Sequence, residues 1–339
     1  MNEIDEMLDK TEAQVFSTPP VDPLGELAGA HILAEISGGN LGHDAVQGLL
    51  YFDGKRWAPA EKKARVICYK VGDERRKQGH AATKDPDLIK AYYRAAKRDE
   101  SRAGIEAILS LAANLPGIAM DHIEFDADPF ALNFLNGTVD LRTGLLRPHR
   151  KEDYLTKVIP HNFDPTALCP RFLKFLDEVF KSDKQIVYWM QWLVGYTAIG
   201  ATPRHILPIL YGTGRNGKSV LFKILRYVFG RDYAVSIDPE DLMAKQGNNN
   251  NNSIPRLRGA RFAMAQETAE NRRIDEALVK MLTGGDPITG RELYGKQFEF
   301  VPSHTLWMAT NYRPRITGAA PAIWERVRLV PFERYFESY

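Results

Sequence analysis

Leu207–Leu225 reads LPILYGTGRNGKSVLFKIL, and within it Gly212-Thr213-Gly214-Arg215-Asn216-Gly217-Lys218-Ser219 fits the spacing G-x-x-x-x-G-K-[ST]. Such a loop wraps a polyphosphate in consecutive backbone N–H groups, a turn that side chains at the glycine positions would obstruct. Lys218 supplies a point charge for β- and γ-phosphates, and the Ser219 hydroxyl is a Mg²⁺ ligand. The flanks agree. Ile206–Tyr211 is an apolar, strand-like run, and Val220, Leu221, Ile224, Leu225 and Val228 fall on one helical face, with Gly230 as the stop. A strand–loop–helix unit sets the phosphates on a helix N-terminus. Pro208 is the discordant residue, since a central strand would lose a hydrogen bond there. The stretch implies binding of a nucleoside triphosphate.

Downstream, three stretches can complete such a site. Arg261-Phe262-Ala263-Met264-Ala265-Gln266-Glu267 is an apolar run ending in an acid, where a carboxylate for Mg²⁺ and water sits at the C-terminal edge of a parallel sheet. His304–Asn311 is a second run, ending in an amide that can bond γ-phosphate and attacking water without adding negative charge. Standing alone, a strand-end asparagine is more often a turn residue. Ile323–Phe332 carries Arg326 and Arg328, and an arginine at the edge of one subunit can reach a neighbour's γ-phosphate.

Upstream, residues 1–44 read as a loose lead-in with a short helical stretch. Leu49–Trp57 reads as a hairpin turning at Asp53-Gly54. In Lys84–Arg98 the pair Tyr92-Tyr93 stands among Lys90, Arg94, Lys97 and Arg98. That interleaving suits single-stranded nucleic acid, but a solvated helix with its aromatics turned inward is the favoured reading. Ile105–Leu115 is a helix ended by Pro116-Gly117. Ala131–Leu146 is a meander with a type I′ turn at Asn136-Gly137. Asp126, Asp128 and Asp140 match no metal loop and read as turn or cap residues. Phe172, Phe175, Leu176, Val179 and Phe180 form one apolar stripe, and Ile186–Val194, apolar nearly all round, reads as buried. A domain boundary is expected near residue 200.

The whole chain sets bounds. Its 339 residues suggest about two domains, and a net charge of +2 confines any basic surface to local patches. Cys68 and Cys169 lack CxxC or histidine-rich company, so neither a zinc site nor a disulfide framework is expected, in keeping with a reducing compartment. The acidic start MNEIDEMLDK is no signal peptide, and no run has the roughly 18 apolar residues of a membrane span. A soluble, cytoplasmic protein is expected.

GTGRNGKS, RFAMAQE, the helix through Ile274, Ala277, Leu278, Met281 and Leu282 into LTGGDPITGREL, FEFVPSHTLWMATN and AIWERVRLVPF together resemble superfamily 3 helicases, above all the phage, plasmid and poxvirus-type primase–helicases. DGKRW, NFLNGTVDLRTGLLRPHRKEDYLTKVIPHNFDP and PRFLKFLDEVF resemble the region preceding the helicase in that family. The likeness covers roughly residues 45 to 336. It implies an α/β protein: a lead-in over 1–44, a smaller mixed α+β domain over 45–200, and an AAA+-like P-loop NTPase domain over 201–339, truncated at its C-terminus. Gly212, Thr213, Gly214, Arg215, Asn216, Gly217, Lys218 and Ser219 would hold ATP, with Ser219 and Glu267 on Mg²⁺. Glu267 would polarise the water, Asn311 would be the motif-C sensor, and Arg326, rather than Arg328, the finger acting on the adjacent subunit. Arg291–Phe298 would be the channel loop gripping single-stranded DNA, with Lys296 its best candidate; an ordinary exposed lysine is the alternative.

There are departures. Many members place two adjacent acids where this chain has Gln266-Glu267, so one acid would serve both metal and water. Asn248–Asn252 reads as a flexible loop, and no paired aspartates suggest a primase site. The resemblance implies an ATP-dependent DNA helicase of phage or plasmid-type replication, a ring and expected hexamer on single-stranded and forked DNA, with a primase fused or separate. An ATP-binding initiator or scaffold that assembles on DNA without unwinding it is the alternative; a packaging or remodelling motor is another.

Overall fold

The computed structural model describes residues 21–120, 122–244, 253–266, 272–291, 297–312, 316 and 321–337. Glu267, Lys296 and Asn248–Asn252 fall outside these. The chain divides into two units. One holds the described residues up to Phe52 with Ala58–Ile123; the other holds Asp53–Trp57 and the described residues from Glu124 onward. By contacts the division falls near residue 123.

The first unit contains α1 (Glu26–Ile36), β1 (Leu41–Asp44), β2 (Gly48–Phe52), α2 (Glu61–Ala82), α3 (Pro86–Asp99) and α4 (Arg102–Ala112), with β3 (Trp57–Pro59) where the chain passes between the units. Leu33, Leu41, Val71, Ile108 and Ile118 form its core. Residues 23–44 are thus no loose lead-in. The reason is Arg75, fully buried and paired with the buried carboxylate of Asp99. A guanidinium removed from water must find acceptors for its remaining N–H groups. It takes the carbonyls of Pro23 and Gly25, the latter at 3.0 Å, and so fixes the approach to α1. Cys68 lies in the same core, where burial pushes its thiol up to about 12. On α3, Tyr92 is buried as the favoured reading requires, but Tyr93 is exposed.

The second unit begins with the antiparallel meander β4 (Ala131–Phe134), β5 (Gly137–Asp140) and β6 (Leu145–Arg147). Its first turn sits one residue earlier than Asn136-Gly137, because Phe134 pairs with Gly137. Leu135 and Asn136 take no positive φ, so the turn is not type I′. Asn136 instead exchanges two hydrogen bonds with the Phe163 backbone. Asp126 accepts from the Thr156 backbone, Asp128 from Phe130 and Arg142, and Asp140 from the Arg142 backbone. These are turn and pairing roles.

Then come α5 (Pro170–Val179), α6 (Lys184–Ala198), β7 (Leu207–Tyr211), α7 (Lys218–Tyr233), β8 (Ala234–Ile237), β9 (Phe262–Gln266), α8 (Glu276–Thr283), the hairpin β10 (Ile288–Arg291) and β11 (Gln297–Phe300), β12 (Thr305–Thr310), α9 (Pro321–Trp324) and β13 (Val327–Pro331). Five strands form a parallel sheet ordered β13-β7-β12-β9-β8. The uninterrupted apolar runs of β9 and β12 suit strands covered on both faces. Phe222, Phe262 and Trp307 meet edge to face at 5.6–6.2 Å between centroids, and the Trp307 indole N–H donates to the Thr197 hydroxyl at 3.0 Å.

Two readings of helix faces need correction. On α7 the buried side chains include Leu221, Phe222, Leu225, Phe229 and Tyr233, whereas Val220 and Val228 are 49% and 46% exposed. The sheet selects one stripe of a helix that is apolar around more than half its girth. On α6 Met190, Leu193 and Tyr196 are buried but Tyr188 is 70% exposed, so the helix has one inward face. Pro208 is accommodated in β7. The Leu207 N–H donates to the Arg326 carbonyl on the β13 side. Amides alternate along a strand, so the Pro208 nitrogen faces β12, whose pairing with β7 starts only at Ile209↔Met308. Among the described residues no helix is long and apolar enough to cross a membrane.

His304, just before β12, is fully buried, and neither ring nitrogen has a partner among the described residues. Burial alone lowers its pKa from 6.5 to about 4. Between those values the unfolded chain binds the extra proton, so stability is intact above about pH 6.5 and falls as the pH drops towards 4. The loss from this group is ~3 kcal/mol. Melting curves over this window should show a shallower acid decline for His304→Leu than for the wild type; equal slopes would remove His304 as the cause.

Candidate nucleotide site

Gly212–Ser219 leaves the C-terminal end of β7 and enters α7, as the sequence predicts. Its conformation depends on backbone that only glycine adopts easily. Gly212 has φ +155, Gly214 +102 and Gly217 +93, and the non-glycine Arg215 is held at +48. A Cβ on Gly212 would lie 2.3 Å from the Phe332 carbonyl oxygen, so this position is closed to larger residues on two grounds. The backbone N–H groups of Asn216, Gly217, Lys218 and Ser219 donate to no acceptor among the described residues. They point out of the first turn of α7, the ordinary consequence of a helix start.

Lys218 is only 5% exposed. Its Nζ donates to the Gly212 carbonyl at 2.6 Å and to Asn216 Oδ1 at 3.0 Å, and no carboxylate among the described residues pairs with it. Burial holds the ammonium below the ordinary lysine range. The same four-residue neighbourhood thus offers a desolvated cation and free N–H donors, a donor set that fits a polyphosphate. Ser219 is exposed beside them, with its hydroxyl available to a divalent cation.

Strand register brings the other predicted positions to the same end of the sheet. Thr310 is paired with Tyr211, and Ala309 with Gln266. Asn311 therefore follows the last rung directly. A cavity of about 320 Å³ is lined by Gly214–Val220 together with Gln266, Ala309, Thr310 and Asn311. Glu267 follows Gln266 in sequence, outside the described residues.

Arg326 is not part of this cavity. It immediately precedes β13, whose residue Val327 pairs with Leu207, the first residue of β7. The loop leaves the far end of β7, so the strand length of roughly 15 Å separates the two. Arg326 is half-buried and held in place: Nε donates to Thr283 Oγ1 at 3.2 Å, one Nη to the Ala322 carbonyl at 2.6 Å, and the other lies 3.3 Å from His205 Nδ1. Arg328 is exposed and, among the described residues, bonds only the backbone carbonyls of Glu325 and Val327. Of the predicted channel loop, the described ends pair across β10 and β11, with Arg291 opposite Gln297 and Gly290 opposite Phe298; Lys296 lies outside the described residues.

The residues after β13 were not legible as part of the site. Asn216 Nδ2 donates to the Phe332 carbonyl at 2.9 Å, the Phe336 N–H to the Arg215 carbonyl at 2.8 Å, and Arg215 to the Tyr335 hydroxyl at 3.2 Å. Nothing in PFERYF announces this role.

Comparisons with known proteins match the chain in two stretches, the first of which runs across residue 123. A family model described as D5 N terminal like matches residues 30–181, and one described as a family of unknown function (DUF5906) matches 210–321. The chain is 28% identical over 221 residues to 121R of Invertebrate iridescent virus 3, which carries a provisional helicase name; the match covers 62% of this chain and 23% of that protein. Protein 184R of Invertebrate iridescent virus 6, with a name of the same kind, is 28% identical over 264 residues, covering 74% and 27%. C962R of African swine fever virus (strain Badajoz 1971 Vero-adapted), provisionally named a primase, is 28% identical over 142 residues, covering 40% and 15%. The chain thus spans about a quarter or less of these relatives' length. A solved structure, the A form apo structure of NrS-1 C terminal region, is 16% identical with a TM-score of 0.40, covering 51% of this chain and 40% of that one.

Proposed function

This chain belongs to the primase–helicase family, and on that premise we propose that it is an ATP-hydrolysing motor of DNA replication that moves along single-stranded DNA and opens the duplex. The observation that carries this reading is Lys218, a buried cation with no carboxylate partner among the described residues, set beside free N–H donors at the start of α7.

MgATP would supply the labile phosphoanhydride and a divalent charge across its phosphates. Gly212–Ser219 would bind those phosphates, with Lys218 neutralising their charge and Ser219 offering its hydroxyl to the metal. Glu267 would orient and deprotonate water, and Asn311, at the cavity rim, would bond that water and the terminal phosphate. Arg326 is the wrong distance from its own loop but is rigidly presented at a sheet edge, which suits action on a neighbouring copy. A ring, of six copies in the simplest case, follows from that assignment. Lys296, which precedes β11 in sequence, would contact the strand in the channel, and a primase would act alongside, fused or separate. Catalysis of this kind is positioning and electrostatics.

The test is MgATP hydrolysis with and without oligo(dT), followed by strand displacement on a forked duplex. Turnover stimulated by the oligonucleotide and displacement of the duplex are the expected results. ATP binding with no turnover would overturn the motor in favour of an ATP-dependent scaffold.

A further inference from the structure

Helix α7 opens the nucleotide loop at one end, and its solvent face carries a second concentration of charge. Lys223, Arg226 and Arg231 are exposed, and none pairs with a carboxylate among the described residues. With Arg56 they border a cavity of about 680 Å³ closed on the other side by Val158, Pro160 and His161. The single carboxylate on this rim, Asp232, is already engaged by Arg56 and by the Val158 N–H. Four cations against one committed anion leave a strongly positive groove in a chain whose overall net charge is only +2.

The groove also has an aromatic floor. Tyr227 is 70% exposed, and its ring lies 4.6 Å from that of His161 between centroids. His161 is fixed in turn, because its Nε2–H donates to the Tyr227 carbonyl at 3.0 Å. The two segments meet through Gly230, where φ is +70 and a Cβ would lie 2.3 Å from Pro160. From residue 223 to 229, before the break at Gly230, the helix rises roughly 9 Å, the length of about two to three nucleotides of a stacked strand. Unpaired cations tracking a backbone beside an exposed, immobilised ring are the parts of a stacking platform for unpaired bases. A duplex, with its bases already stacked, has no use for the ring.

We propose that this groove is a contact for single-stranded nucleic acid, distinct from the β10–β11 hairpin; the assignment rests on the motor reading above. Since α7 also begins with Lys218, the strand and the nucleotide would press on the same helix.

The experiment is anisotropy of fluorescein-labelled oligo(dT) on the full chain, without nucleotide, over a salt series. Wild type is compared with the triple variant Lys223→Ala, Arg226→Ala, Arg231→Ala and with Tyr227→Ala. The triple variant should lose about two units of slope in log K against log salt. Tyr227→Ala should bind about tenfold more weakly at unchanged slope, and its affinity for a blunt duplex should not change. DNA-free ATP hydrolysis and melting temperature should match wild type in both variants, as the side chains are exposed. If wild type binds oligo(dT) and both variants bind identically, the groove is not a strand contact and the motor reading survives. If Tyr227→Ala loses duplex and single strand alike, the single-strand assignment fails. A wild type that binds no oligo(dT) overturns both readings.

Discussion

Lys218→Ala is expected to lower ATP turnover by about a thousandfold or more while leaving the fold as stable as wild type, or more so. The two halves of this expectation have one cause. An ammonium that is 5% exposed and faces only a carbonyl and an amide oxygen is held against its preference for water, which is why its pKa is depressed. Removing it relieves that desolvation cost in the nucleotide-free protein but takes away the charge that phosphates would meet. A structural lysine would behave in the opposite way. Thermal melting without nucleotide, set beside steady-state hydrolysis, therefore separates the roles: a variant that melts well below wild type, or that retains turnover, is incompatible with phosphate binding by Lys218.

Arg326→Ala should cost ~10³–10⁵ in turnover and change nucleotide affinity far less, because the guanidinium lies at the opposite end of the sheet from its own loop. Of its partners, the buried Thr283 Oγ1 keeps its own bond to the Val279 carbonyl, and the Arg326 guanidinium is itself partly exposed, so the stability change should stay within about 1 kcal/mol. The decisive measurement is complementation. Glu267→Gln and Arg326→Ala proteins, each inactive alone, should regain activity when mixed, since a mixed assembly contains sites with both groups intact. Two inactive proteins that stay inactive at every ratio would place Arg326 outside any shared site. The expected loss is large because a cation facing transition-state charge in a water-poor interface has no solvent substitute.

Much of this arrangement could be read from the chain. The loop announces itself because its chemistry tolerates few alternatives: glycines at positive φ and Lys-Ser at the helix start. Asn311 is legible because an apolar run ending in a polar residue finishes at the same sheet edge as the loop when the strands are parallel, and Gln266, which lines the same cavity, directly precedes the predicted Glu267. What escaped was decided by tertiary contacts without local trace. Leu221 and Val220 are equally apolar, and only the sheet decides which faces inward. Arg75 looks like any residue of a charged helix until its buried pairing with Asp99 is seen, and with it the ordering of residues 23–25. Pro208 reads as a mark against β7, but the alternation of amides turns its nitrogen towards β12 one residue before the pairing of those strands begins.

The ties between the loop and the residues after β13 bear on how the molecule comes into being. Asn216 is bonded to Phe332 across 116 positions of sequence, and Arg215 to Tyr335 across 120. During synthesis the glycine loop emerges long before its partners, at which stage nothing fixes Arg215 at positive φ or braces Asn216 beneath Lys218. Contacts of such wide separation close late. The glycine loop, though encoded in eight consecutive residues, is therefore among the last features to acquire its shape, which it takes only once the residues after β13 have joined it.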